Sequence, residues 1–188
     1  MTKRAVRDLK PSDILSRREI DETCLRPENL RDRALLCLFY LTAGRVSEVL
    51  EFRKSQFRVG ERDGVKYLVI QNAPVGKRRD YMVRNVPVPW TDKLRPTITE
   101  YLANLGDEDK LFDFTRQRAW QITTENEAET WCHWWRAQRI SHLINEREMG
   151  IEQVQEFIKC KDIRSLEPYR HTGWYHYAEK LVEPEVRR

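Results

Sequence analysis

The chain has 188 residues, with 34 Lys+Arg against 30 Asp+Glu and a formal net charge of +4, and its isoelectric point lies near 8.9. That length suits one main domain with an ample core, and so mild a basicity suits a polyanionic partner only if the positive charges cluster. No uninterrupted apolar run approaches the ~20 residues that span a bilayer, the opening Met1-Thr2-Lys3-Arg4-Ala5-Val6-Arg7 lacks an apolar signal region, and Cys24, Cys37, Cys132 and Cys160 show no CxxC spacing. These features speak against a membrane protein, a zinc cluster or a disulfide framework, and for a soluble protein of a reduced cytoplasm.

In chain order, Pro11-Ser12-Asp13 ahead of Ile14, Leu15 and Ile20 reads as a helix start with side-chain oxygens to cap it. A second helix begins near Pro27. Its Leu30, Ala34, Leu38 and Leu41 recur at helical spacing with Arg31, Asp32 and Arg33 on the other side, which predicts an amphipathic helix on the core. Gly44 is expected to close it in a left-handed conformation and to project Arg45 from a fixed helix end; residues 46–52 then start a short helix. Residues 65–70 and 81–88 are rich in β-branched and aromatic types and read as strands. The turn between them carries three consecutive cations, Lys77, Arg78 and Arg79, which in isolation read as charges that keep a hairpin edge soluble. Helices are expected again over about 93–105 and 115–123, followed by a polar loop over 121–130. Two more, over 131–145 and 151–158, are separated by a turn at Met149-Gly150. The expected fold class is mainly α with a small antiparallel β-sheet (α+β), without internal repeats or linkers.

Four fragments bear on chemistry: Arg45 in Ala43-Gly44-Arg45-Val46-Ser47-Glu48, the Lys77 to Arg79 run, His133-Trp134-Trp135-Arg136, and Tyr169 after Pro168. Each alone is weak, since an isolated arginine is usually a solvated surface residue and a tyrosine beside a proline usually packs. Their order carries more weight. The segments 30–36 and 42–48 resemble the opening helices of the tyrosine recombinase (phage integrase) catalytic domain, whose first catalytic arginine lies in an RxSE segment. His133-Trp134-Trp135-Arg136, with Ser141-His142-Leu143-Ile144 after it, resembles that family's HxxR box and the helix that follows. Ile163-Arg164-Ser165-Leu166-Glu167-Pro168-Tyr169 resembles the stretch that ends in its nucleophilic tyrosine. The resemblance spans about residues 11–172. It implies a single catalytic domain over 1–188 with a C-terminal tail at 173–188, and no N-terminal core-binding domain of the kind that completes a clamp on DNA in relatives.

The resemblance also implies roles. Arg45 and Arg136 would clamp the phosphate oxygens, because a planar guanidinium can hold two oxygens at once and meet the charge that builds in the transition state. Tyr169 would be the nucleophile, forming a 3′-phosphotyrosyl intermediate that conserves the bond energy for rejoining. Lys77 would protonate the departing 5′ oxygen, with Arg78 and Arg79 as alternatives in register and as DNA contacts. His133 would donate to the phosphate or move the tyrosine's proton, though it also reads as an aromatic core position beside Trp131, Trp134 and Trp135. Glu48 would be the buried acid that orients the active-site arginine and histidine, or else an ordinary exposed helix glutamate. One departure stands at Cys160, where the family has a histidine or tryptophan; cysteine is a weak donor, and Lys159 would be a substitute donor and DNA contact. The resemblance implies double-stranded DNA as partner and self-association, as a tetramer, on paired sites. The apolar tail residues Trp174, Tyr175, Tyr177, Leu181 and Val182 would dock on a neighbouring protomer. No metal or nucleotide cofactor is implied, since ligand spacing and a glycine-rich phosphate loop are both missing from the sequence. The expected function is site-specific DNA recombination or integration for a mobile element, in a prokaryotic or viral setting. The competing readings are type IB topoisomerase-like relaxation and a non-catalytic DNA-binding regulator on a recombinase fold.

Overall fold

Helix α2 (Leu30–Thr42) runs through the middle of the molecule, and every residue from Ala34 to Thr42 is buried. The expected amphipathic stripe gives way to burial all round because Ala34-Leu35-Leu36-Cys37-Leu38-Phe39-Tyr40-Leu41 is apolar at each position, and such a helix needs neighbours on every side. Those neighbours are α1 (Arg17–Leu25), α4 (Arg95–Ala103), α5 (Arg116–Asn126) and α6 (Cys132–Asn145). The structure, a computed structural model, describes residues 11–75, 82–126 and 132–170. Lys77, Arg78, Arg79, Trp131 and the apolar tail residues lie outside the described residues.

Helix α1 starts later than its sequence suggests. Pro11–Asp13 forms only a 3-10 turn, and the α-helix begins after Ser16, whose side chain accepts from the Glu19 amide while Glu19 accepts from the Ser16 amide at 2.7 Å. This reciprocal cap satisfies two amides that the first turn cannot bond internally. Helix α5 also continues through residues expected to form a loop, because Ile122 and Thr123 are buried and anchor its last turns.

A three-stranded antiparallel sheet, in the order β1-β2-β3, covers one side of the helical core. Its strands are β1 (Phe57–Arg62), β2 (Val65–Val75) and β3 (Met82–Pro89). Strand β1 has no place in the sequence reading, since Arg58, Gly60, Glu61 and Arg62 dilute its apolar pattern. It pairs Arg62 with Val65 across Asp63-Gly64, both at positive φ (51° and 75°), the geometry of a tight two-residue hairpin turn. The β2·β3 register shifts between Ile70 and Ala73, with Asn72 at φ 51°, and beyond that bulge Ala73 faces Arg84. The inward face carries Leu68, Ile70, Ala73, Val75, Val86 and Val88, and with them Arg84.

Helix α7 (Ile151–Ile158) packs on β3, and a 3-10 segment, Ile163–Tyr169, lies against α6 and α7. A small second core joins these parts to the end of α2: Ala43, Ile140, Leu143, Val154, Ile158 and Leu166, with Cys160 and Tyr169 partly buried against it. The segment that carries Tyr169 is thus held by one fully inserted side chain, Leu166, whose burial contributes roughly 1.5–3 kcal/mol. No helix among the described residues is long and apolar enough to cross a membrane.

Candidate functional site

A helix leaves its last carbonyls without internal partners, and at the end of α2 two of these receive guanidiniums from distant parts of the chain. Arg84 on β3 donates Nη2 to the Thr42 carbonyl at 2.6 Å. Arg136 on α6 donates Nη1 to the Ala43 carbonyl. Both arginines are almost fully buried, at 5% and 3% exposure. Cations are favoured there, because the aligned peptide dipoles make a helix C-terminus the negative end.

Ala43, not Gly44, takes the left-handed conformation that closes α2, at φ 48°. Gly44 serves a different need. A Cβ there would stand 2.7 Å from both Thr42 Oγ1 and Val49 Cγ2, so only glycine lets the chain pass so close between helices. This tight passage makes Arg45 the N-cap of α3 (Val46–Val49). Glu48, 2% exposed, then binds Arg45 twice: Oε2 accepts from the Arg45 amide at 2.9 Å and Oε1 from Nη1 at 2.7 Å. Burial of Glu48 rules out the reading of it as an exposed helix glutamate.

Glu48 is the carboxylate that faces all three arginines. Burial is the largest influence on Arg84 and Arg136 and lowers both to about 10; Arg45 presses each of them further down, and Glu48 holds each of them up. Both remain cations at neutral pH. Among the described residues, three guanidiniums around one carboxylate leave a surplus of positive charge, and Arg84 Nε is buried with no hydrogen-bond partner. Arg45, whose side chain is 33% exposed, opens this cluster to the surface.

Tyr169 and Cys160 lie close enough to Arg136 to oppose the lowering of its pKa. The Tyr169 carbonyl accepts from Asn145 Nδ2 at 2.9 Å, and Asp162 caps the 3-10 segment through the Arg164 amide at 3.0 Å. Cys160 Sγ donates to the Asp162 carbonyl at 3.6 Å. Lys159 ends α7 in a left-handed conformation, and its ammonium is paired with Glu156. His133 is exposed on the first turn of α6 while Trp134 and Trp135 are buried, so it is not an aromatic core position. It precedes Arg136 by three positions, which places both on one side of the helix.

The structure therefore brings together Arg45, Glu48, Arg136, Cys160 and Tyr169 from four separate stretches of chain. The residue that sequence reasoning missed is Arg84. Its signal was parity: Arg84, Val86 and Val88 share one face of β3, so the cation points inward with the valines. Chemically, the cluster suits an oxyanion that carries more than one negative oxygen, because forked donors and surplus charge converge on one opening. Among the described residues no group of three or more His, Cys, Asp or Glu is placed to hold a metal ion.

No family model matches the sequence, and no curated protein matches it either. Solved structures do match the fold. The XerH site-specific recombinase bound to difH substrate superposes with a TM-score of 0.64 at 18% identity, over 87% of this chain and 50% of that one. The Tn1549 transposon integrase in complex with circular intermediate DNA gives a TM-score of 0.65 at 11% identity, over 94% of this chain and 66% of that one. The catalytic domain of bacteriophage HP1 integrase gives 0.54 at 19% identity, over 89% of this chain and 94% of that one. The chain thus has the fold of a tyrosine recombinase catalytic domain, and it spans about half the length of the XerH chain.

Proposed function

We propose that this chain cuts and rejoins double-stranded DNA through a covalent tyrosine intermediate, as a site-specific recombinase or integrase. The observation that supports this reading best is the surplus of positive charge formed by buried Arg84 and Arg136 and half-buried Arg45 around Glu48, with Tyr169 beside it. The Tyr169 oxygen would attack the scissile phosphorus and form a phosphotyrosyl bond to the 3′ end as the bond to the 5′ oxygen breaks. Arg45 and Arg136 would hold the non-bridging oxygens, whose charge rises as phosphorus becomes pentacoordinate. His133 would donate to the same phosphate or receive the tyrosine proton, and Lys77 would give a proton to the departing 5′ oxygen, with Arg78 and Arg79 alongside on the DNA. Attack by a 5′ hydroxyl on the phosphotyrosine reverses the step, so rejoining needs no nucleotide and no metal. Cys160 would contact the phosphate weakly, and Lys159 could reinforce it only by leaving Glu156. A tetramer on paired DNA sites, with the 173–188 tail docked on a neighbour, completes the reading.

The test is a nicked suicide substrate that carries the element's attachment site, incubated with wild type and with Tyr169→Phe. A denaturation-resistant protein–DNA adduct formed by wild type alone is the expected result. Relaxation of supercoiled DNA without paired sites would move the assignment to a topoisomerase. DNA binding without any adduct would move it to a regulator.

A further inference from the structure

Arg84 is a charged side chain in a place where charge is costly. It lies on the inward face of β3 opposite Ala73, whose small side chain leaves room for the long stem, and its guanidinium sits 5.4 Å from the centre of the Phe157 ring. An apolar side chain of similar volume would pack there without burying a cation. What an apolar residue could not do is bridge two helix ends. The Thr42 carbonyl belongs to the last turn of α2. The Phe157 carbonyl, which accepts from Arg84 Nη1 at 2.5 Å, belongs to the last turn of α7. In α7 the amides of Lys159 and Cys160 take the Glu156 and Gln155 carbonyls, while Phe157 offers its carbonyl to Arg84.

These two helix ends lead directly into the two halves of the site. Three residues after Thr42 comes Arg45, and three residues after Phe157 comes Cys160, followed by the capped segment of Tyr169. We propose that Arg84 is a positioning residue of the phosphate site: one planar fork fixes the segment that carries Tyr169 against the segment that carries Arg45. The assignment rests on the function proposed above. Lysine cannot replace the fork, since a single ammonium on a flexible stem does not hold two carbonyls in fixed directions. The unpartnered Nε and the charge of Arg84 also add to the field that an incoming phosphate meets.

Such a residue acts on rate more than on DNA affinity, which is spread over many phosphate contacts. Single-turnover adduct formation at saturating DNA is therefore to be measured for wild type, Arg84→Lys and Arg84→Ala, together with the Kd of each for the same DNA. Misplacement of a reacting group by about 1 Å can cost about 100-fold, and a loss of that order in both variants, with Kd far less changed, is expected. Guanidinium ion at tens of millimolar should restore part of the Arg84→Ala rate, and methylammonium should not. Wild-type rates in Arg84→Lys overturn the proposal, because charge without the fork would then suffice. Parallel loss of rate and affinity without guanidinium rescue also overturns it. Should Arg84→Ala fail to fold, Arg84→Lys alone decides between these results. If wild type itself forms no adduct, the function reading fails and Arg84 is judged by sulfate: a sulfate-induced rise in Tm that vanishes in Arg84→Lys keeps it in the anion site, and an equal rise in both removes it.

Discussion

Substitution of Glu48 by glutamine keeps the shape of the side chain and removes the one carboxylate that, among the described residues, faces Arg45, Arg84 and Arg136. The Arg45 contact at 2.7 Å corresponds to about 6 kcal/mol of attraction at an effective dielectric of about 20. One-third exposure of the Arg45 side chain reduces this figure by solvent screening. Loss of one partner from a buried ion pair typically costs about 3–5 kcal/mol, because the remaining charge is left uncompensated. Here Arg84 and Arg136 would be left so. We therefore expect Glu48→Gln to lose about 3 kcal/mol, which for a domain of this size lowers Tm by roughly 6–12 °C. The assay is thermal unfolding by circular dichroism with and without sulfate. Sulfate that occupies the cluster in the folded state should recover part of the loss, because a second anion takes over the task of Glu48. Glu125→Gln on the exposed face of α5, paired with Arg118, serves as control and should stay within about 0.5 kcal/mol of wild type. A Glu48→Gln protein as stable as that control, or one indifferent to sulfate, would refute the view of this cluster as an anion site with surplus positive charge.

Three further outcomes follow from single positions. Gly44→Ala forces a Cβ to within 2.7 Å of Thr42 Oγ1 and Val49 Cγ2, so urea unfolding should show a loss of about 1–3 kcal/mol; no loss would mean that the α2–α3 passage yields easily. His142 is buried and its pKa is lowered, chiefly by burial. Its Nε2 donates to the Leu15 carbonyl at 2.7 Å, and Nδ1 accepts from the Tyr40 hydroxyl at 2.7 Å, since a carbonyl can only accept. The neutral ring is thus favoured in the fold, so stability is full above the ordinary histidine range and falls as pH drops below about 6.5, by at most about 1.4 kcal/mol per pH unit. His142→Gln should flatten that slope in unfolding titrations between pH 7.5 and 5.5, and an unchanged slope would clear His142 of the effect. Cys160→His should speed adduct formation if a weak donor limits the rate, and an equal rate would show that the thiol position does not.

Much of the fold was legible because the apolar pattern and the punctuation agree. The helix Ile151–Ile158 begins and ends where its sequence says, between Gly150 and a left-handed Lys159. Strand β1 escaped notice because charge and Gly60 blur its alternation, yet Asp63-Gly64 was its signal: the pair demands positive φ at two successive residues and so marks a hairpin more firmly than the strand marks itself. Gly44 taught the opposite lesson. A glycine at a helix end suggests a left-handed cap, but here Ala43 supplies that conformation and Gly44 supplies space, a distinction that depends on the distance to Val49 and cannot be read locally.

The candidate site divides along the same line. Arg45, Glu48, Arg136 and Tyr169 could be singled out because each stands in a short motif whose order along the chain is informative. Arg84 stands in no motif. Its proposed role rests on three facts that only the fold joins: the inward parity of β3, the small Ala73 across the ladder, and two helix C-termini whose last carbonyls converge on one point. Buried arginine is rare unless something holds its charge, so an inward cation in a strand pattern is itself a question put by the sequence: what lies opposite to receive it? Here the answer is two backbone carbonyls and one shared carboxylate, which leaves one part of the positive charge unanswered and open to solution at Arg45.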